Sequence, residues 1–195
     1  MEFMNEGTKY LETDRQVLKK GTQEDVLSAY EYDYRYLRST DSDNKLQKTP
    51  DSILNGWNED PNYYNSDIYD WYIFLKGNDK AIGNVVIDQG SIIIDGISSL
   101  NVAYNLRKEH WGNGYVPEAL NTILEYMFNE VGIGLISCGY DGDNIKSKRV
   151  IEKIGFQFHK VLNDKGYDCV NNIHVDQYQY IMTKEMWNER KKAKR

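Results

Sequence analysis

A chain of 195 residues with 40% apolar and 28% charged side chains is long enough for one core and too apolar to stay disordered. Its 30 acidic residues outnumber the 24 basic ones, for a net charge of −6, and this disfavours duplex nucleic acid, whose phosphates need a basic surface. No apolar run reaches the roughly 20 residues of a membrane helix. The opening MEFMNEGTKY lacks the basic and apolar regions of a signal peptide. Two cysteines, Cys138 and Cys169, give neither a disulfide framework nor metal spacing. The reading is a cytoplasmic, metal-free single domain over residues 1–195, with its core at about 10–183 and a basic tail at 184–195.

In chain order, residues 10–20 read as one strand. Thr22, with Glu24 and Asp25 behind it, starts a helix through about Tyr36. Residues 41–70 carry seven carboxylates against two lysines and read as a long acidic excursion with one short helix at 51–56. Trp71–Leu75 and Ala81–Ile87 are strands around the turn Gly77-Asn78-Asp79, and another strand covers Ile97–Leu106. Val116, Leu120, Ile123, Leu124, Met127 and Val131 then form one continuous apolar helix face. Ile133–Cys138 is a strand, and Ile145–Ile154 is a helix ending at a left-handed cap on Gly155. Strands near Phe156–Leu162 and Val175–Met182 follow, and Arg190–Arg195 reads as a frayed, solvated end. The alternation gives an α/β or α+β arrangement, a central mixed sheet with helices packed on it.

The chemistry concentrates in residues 101–118, a strand, a glycine-containing turn, and a helix opening with Pro117. A helix N-terminus offers unpaired N–H groups and the positive end of the dipole, hence an anion site. Gly112 and Gly114 let the main chain approach a phosphate without a Cβ in the way. Tyr115 after Gly114 excludes a P-loop, and Pro117 occupies the last slot of a dinucleotide fingerprint. The glycines taken alone are also compatible with a tight turn that binds nothing.

Three motifs carry a resemblance. Trp111-Gly112-Asn113-Gly114-Tyr115-Val116 is similar to the Arg/Gln-x-x-Gly-x-Gly/Ala phosphate signature of the GNAT acyl-CoA-dependent N-acetyltransferases, with the Trp common in the RimJ/RimL-like branch. Asn144, Ser147, Glu152, Lys153, Gly155 and Phe156 resemble that family's Asn-x-x-Ser-x-x-x-x-Glu-Lys-x-Gly-Phe, and Leu11, Thr13 and Arg15 its Leu-x-Thr-x-Arg first strand. The resemblance runs from about residue 10 to 182. It departs at Val116, which fills the final Gly/Ala slot, and at Asn101, where many relatives carry a carboxylate able to act as base.

The resemblance implies a GNAT-like mixed, mostly antiparallel sheet of about seven strands flanked by helices. It implies transfer of an acetyl group from acetyl-CoA to a primary amine, either a protein N-terminus or a small cationic amine. Tyr104, Asn105, Leu106 and Arg107 would serve the pantetheine arm and acetyl carbonyl, a one-donor oxyanion site. Trp111, Gly112, Asn113, Gly114, Tyr115 and Val116 would hold the pyrophosphate. Asn144 would hydrogen-bond the cofactor arm as well as cap its helix, and Ser147 would give the departing thiolate its proton. Lys146, Lys148, Arg149 and Lys153 would attract the ribose phosphate or simply face solvent. Glu109 and His110 lie beside the turn as candidate bases, against a water chain with no dedicated residue. An acyl-CoA-binding sensor without turnover is the alternative to an enzyme, and association as a homodimer stays open.

Overall fold

The computed structural model describes residues 7–29, 69–142, 144–168 and 173–193. Contacts group the chain into two compact units, one of residues 6–87 with 104–122, the other of 88–103 with 123–195 and 1–5. They are called here the N-terminal and C-terminal units. The helix expected at 51–56, the tyrosines 30–36 and most of the acidic excursion lie outside the described residues.

In the N-terminal unit the single strand expected at 10–20 is instead a hairpin of β1 (Leu11–Glu12) and β2 (Gln16–Lys19), with Leu11 opposite Leu18. Thr13 causes the break. Its Oγ1 accepts the main-chain N–H groups of Arg15 and Gln16, which offers the backbone a turn in place of a ladder. Helix α1 (Gln23–Ala29) opens with a reciprocal cap, Thr22 donating to the Asp25 carboxylate while Asp25 N–H donates to Thr22 Oγ1. Strand β3 (Tyr69–Leu75) is buried on both faces over Tyr69–Phe74 and pairs antiparallel with β2 and with β4 (Ala81–Ile94). The β3–β4 register slips between Ile73–Gly83 and Phe74–Ala81, leaving Ile82 as a bulge.

Strand β5 (Ile97–Leu106) follows β4 through Asp95 (φ 50°) and Gly96 (φ 77°), the positive-φ pair that a two-residue hairpin turn needs. In the C-terminal unit β5 pairs parallel with β6 (Leu135–Asp141) at Leu100–Ile136 and Asn101–Ser137, and β6 pairs antiparallel with β8 (Ile173–Thr183), which carries β7 (Gln157–Asp168). The pairings make an eight-stranded sheet in the order β1-β2-β3-β4-β5-β6-β8-β7, mixed and mostly antiparallel. The extra strand over the expected number comes from the Thr13 break.

Helix α2 (Tyr115–Tyr126) gives way to a wider π-turn over Met127–Val131, closed by Gly132 at φ 85°. Helix α3 (Ile145–Ile154) runs from an Asn144 cap to Gly155 at φ 96°, as its end signals require. The C-terminal tail is not the frayed end expected of it. Helix α4 spans Lys184–Ala193, because Trp187 is buried against Phe128 and both Trp187 Nε1 and Lys191 Nζ bond the Glu125 carboxylate. A basic run can cover apolar surface with its stems while its heads stay in water, and here one head is also paired. No described helix is long and apolar enough to cross a membrane.

Candidate active site

The turn between β5 and α2 is built in the N-terminal unit. After β5 the chain makes one 3-10 turn at Lys108–His110, and Trp111 follows. Trp111 is 44% exposed, yet its Nε1 donates to Leu106 O at 2.8 Å, tying the turn back to the end of the strand. Asn113 Nδ2 donates to the carbonyls of His110 and Trp111, so the loop closes on itself. Gly112 and Gly114 sit at φ 81° and 76°, where other residues are strained. Tyr115 then starts α2, with Glu118 N donating to Gly114 O.

Residues from the first hairpin hold this turn. Arg15 Nε donates to Glu118 Oε2 at 2.7 Å, Arg15 N to Glu118 Oε1 at 3.1 Å, and Arg15 Nη2 to Asn113 O at 3.1 Å. Thr13 Oγ1 also donates to Glu118 Oε1. The guanidinium lies 4.6 Å from the centroid of Tyr115, whose ring also meets His110 edge-on. Gln16, fully buried, donates from Nε2 to Tyr115 O. Burial raises the Glu118 carboxyl, but the bonds from Thr13 and Arg15 outweigh it and leave the group below the usual carboxylate range.

The surface over the glycines fits a pyrophosphate. A Cβ on Gly112 would meet nothing within 4 Å, and one on Gly114 only Arg15 Nη2 at 3.8 Å. N–H groups at the start of α2 and a nearby guanidinium are the donors a phosphate needs. Val116, expected to bring a β-branched side chain into this cradle, is instead 5% exposed and packs in the core. It leaves the cradle unobstructed.

The end of β5 is held at both sides. Arg107 N donates to Ile82 O, the bulged residue, and its side chain is engaged by Ala81 O and Ser28 O. Asn105, 9% exposed, donates from Nδ2 to Asn84 Oδ1 at 3.1 Å, and Asn84 Nδ2 donates to Asp70 Oδ1 at 3.3 Å. A Cβ on Gly83 would lie 2.3 Å from Asn105 O, so glycine is required for β4 and β5 to approach this closely.

Of the expected site residues, the structure brings Leu106, Arg107, Trp111, Gly112, Asn113, Gly114 and Tyr115 together with Tyr104 and Asn105 in the N-terminal unit. Asn144 and Ser147 belong to the C-terminal unit. There Asn144 Oδ1 accepts the Ser147 N–H at 3.2 Å, a helix cap that leaves the Ser147 hydroxyl outside the cap bond. Lys148 pairs with Glu152 one turn on. Asn101 lies opposite Ser137 in the parallel register. Two reactive-looking groups in this unit are poorly suited to proton or thiolate work. Burial drives the Cys138 thiol up, and burial with Tyr140 beside it pushes Tyr180 up to about 12. Among the described residues no three His, Cys, Asp or Glu side chains converge as metal ligands. Sequence reasoning missed Arg15 and Glu118 as the frame of the turn; the Thr-x-Arg pair was visible, but not what it grips.

Residues 15–157 match the acetyltransferase (GNAT) domain family, and the chain belongs to it. It is 35% identical over 88 residues to the probable N-acetyltransferase YjcK of Bacillus subtilis (strain 168), covering 45% of this chain and 48% of that one. The stretches matched in curated relatives span 40 to 65% of those proteins' own lengths. The fold is shared with the ribosomal-protein-S5-alanine acetyltransferase of Vibrio fischeri, at a TM-score of 0.70, 18% identity and coverage of 92% of this chain and 98% of that one. It is also shared with Mycobacterium smegmatis RimJ in complex with CoA-disulfide, at a TM-score of 0.64, 17% identity and coverage of 87% and 82%.

Proposed function

We propose that this chain transfers an acetyl group from acetyl-CoA to a primary amine by direct attack. One observation carries the reading: the Gly112–Gly114 turn at the start of α2, open to a ligand and braced by Arg15 and Glu118. RimJ, solved with a CoA derivative, and an acetyltransferase that acts on a ribosomal protein's alanine support it. The acceptor we favour is accordingly a protein N-terminus, with a small cationic amine as the second class.

Residues 111–115 and the first N–H groups of α2 bind the pyrophosphate, and the main chain of Tyr104–Leu106 orients the pantetheine arm and the acetyl carbonyl. Bound acetyl-CoA supplies the thioester and its thiol leaving group. Asn144 hydrogen-bonds the cofactor arm, and Ser147 Oγ holds the proton destined for the leaving sulfur. An amide at Asn101 cannot take up a proton at neutral pH, so the amine loses its proton to water. Asn101 also favours the second reading, an acyl-CoA sensor without turnover.

The test has two stages. Acetyl-CoA at a hundred times its dissociation constant should stabilise the fold by about 2.7 kcal/mol, read as a rise in melting temperature, with NAD doing much less. Thiol release from acetyl-CoA should then rise with alanine- or serine-initiated peptides. No melting shift with acetyl-CoA or CoA at millimolar concentration overturns the binding reading. A shift without thiol release for any peptide or polyamine makes the protein a sensor.

A further inference from the structure

Strands β3, β4 and β5 carry one polar residue each at neighbouring interior positions, Asp70, Asn84 and Asn105. These are 8%, 0% and 9% exposed, with buried Val86 opposite Asp70 and buried Tyr72 opposite Asn84 on the same face of the sheet. Burying three polar side chains in a core costs free energy unless they satisfy one another. They form a chain: Asn105 Nδ2 donates to Asn84 Oδ1, and Asn84 Nδ2 donates to Asp70 Oδ1. Asp70 is further fixed by its main chain, its N–H donating to Thr8 Oγ1.

The chain has a direction. A carboxylate only accepts, so Asn84 must turn its NH2 towards Asp70 and its carbonyl towards Asn105. Asn105 in turn must give its NH2 to Asn84. The acceptor at Asp70 and the two amides thus line up in one donor-to-acceptor direction across successive strands. Asn105 lies one residue from Leu106, whose other neighbour, Arg107, is pinned through its own N–H to Ile82 O. The Asn105 carbonyl also lies against Gly83 in a contact that no side chain at 83 would permit. The Tyr104–Leu106 main chain is therefore clamped from the side chain of 105 and from the main chain of 107. Apolar residues would have stabilised these strands at lower desolvation cost, so the polar triplet calls for a role beyond packing.

We propose that Asp70 is a positioning residue for acyl transfer, acting through Asn84 and Asn105 to hold the Tyr104–Leu106 main chain in register with the acetyl carbonyl. This rests on the assignment of that main chain in the proposed function. It deepens that assignment by naming what fixes the carbonyl-orienting segment. The pyrophosphate turn is braced separately, by Arg15, Glu118 and Asn113, so the two halves of the cofactor should respond differently to loss of the charge.

The experiment compares the parent with Asp70→Asn and with the swap Asp70→Asn/Asn84→Asp. In the swap a carboxylate at 84 accepts from both neighbours, and Asn105 again gives its NH2 inward. CoA and acetyl-CoA are titrated calorimetrically, and thiol release from acetyl-CoA with an alanine-initiated peptide gives kcat and KM. Asp70→Asn should bind CoA within about 2-fold of the parent, lose any preference for acetyl-CoA over CoA, and drop kcat by roughly 10- to 100-fold, the cost of a misplaced reacting group. The swap should restore most of both. The affinity ratio needs no turnover, so that readout is independent of the acceptor chosen. Parental kcat and affinity ratio in Asp70→Asn overturn the proposal while leaving the acetyl-CoA site standing. So does a loss of CoA affinity and melting temperature together that the swap fails to repair, since that is a purely structural role. A parent that binds neither CoA nor acetyl-CoA overturns the site itself.

Discussion

Arg15 grips Glu118 through two of its side-chain nitrogens and its own main-chain N–H, and reaches past it to the carbonyl of Asn113. The pair is a bracket for a turn, with the strength of a half-exposed ion pair. Such pairs contribute little to global stability. Glu118→Gln should therefore lower the neutral-pH melting temperature only slightly and weaken CoA binding by roughly 10-fold, because a guanidinium–carboxylate fork fixes geometry that a neutral amide does not. Arg15→Lys should behave like Glu118→Gln, since an ammonium cannot span Glu118 and Asn113 together. Calorimetric CoA titration of both variants decides it; parental affinity in both removes the bracket from the binding site.

The acid limb of stability should carry the signature of two carboxylates. Glu118 and Glu125 are each raised by burial and lowered further by their donors, Thr13 and Arg15 for the first, Lys191 and Trp187 for the second, with a net fall. A folded value below the unfolded one means that the contribution is fully present above the ordinary glutamate value of about 4.3. It is lost as pH falls through the lowered folded value. Melting temperature measured against pH should thus be flat near neutrality and decline below about pH 4 to 5. Replacing both with glutamine should flatten the decline; an unchanged slope would show that other groups govern it.

Three glycines should respond in three ways. At Gly112 an added methyl meets open space but a φ of 81°, so Gly112→Ala should cost only the left-handed strain of about 1–2 kcal/mol. At Gly83 the methyl would fall 2.3 Å from Asn105 O, and Gly83→Ala should be the more destabilising because two strands must part. Gly114→Val combines positive φ with bulk on the open side of the turn and should lose CoA affinity while keeping the fold. Denaturant melts ranking Gly112→Ala below Gly83→Ala in stability would refute this ordering.

Removal of the Ser147 hydroxyl leaves the cap bond at the start of α3 in place, because that bond uses the Ser147 N–H and the Asn144 side chain. Ser147→Ala should keep the helix and the acetyl-CoA affinity, and lower kcat by roughly 100-fold, the usual worth of one positioned acid. Asn144→Ala should in addition cost about 1 kcal/mol of stability through the lost cap. A Ser147→Ala enzyme with a raised KM and parental kcat assigns the hydroxyl to binding.

Features set by neighbours in sequence were legible. The α3 boundaries follow from Asn144 and Gly155, and the glycine turn follows from the composition between β5 and α2. What could not be read depends on distant partners. Glu118 closes the glycine-turn segment with no local sign of a role, because Thr13 and Arg15 lie more than 100 residues away. Val116 departs from the small residue of the motif's last slot, yet a helix turns each side chain about 100° from the last, which sends this one into the core. Strand β4 outruns its apolar run because Asp95-Gly96, a hairpin signal beyond a polar stretch, is what ends it. The basic tail looked solvated until Glu125 and Phe128, far back in the chain, supplied its partners.

The bracket on the turn also sets an order of events during synthesis. Arg15 and Glu118 are separated by 103 positions, and a ribosome adding roughly 5 to 20 residues per second delivers the second about 5 to 20 s after the first. For that interval Thr13, Arg15 and Gln16 lack the partners at residues 113–118 that they bond in the finished fold. The β3–β4 hairpin, whose contacts are local, can form in the meantime. The glycine turn thus gains its bracket late in the synthesis of its unit, well after the residues that hold it.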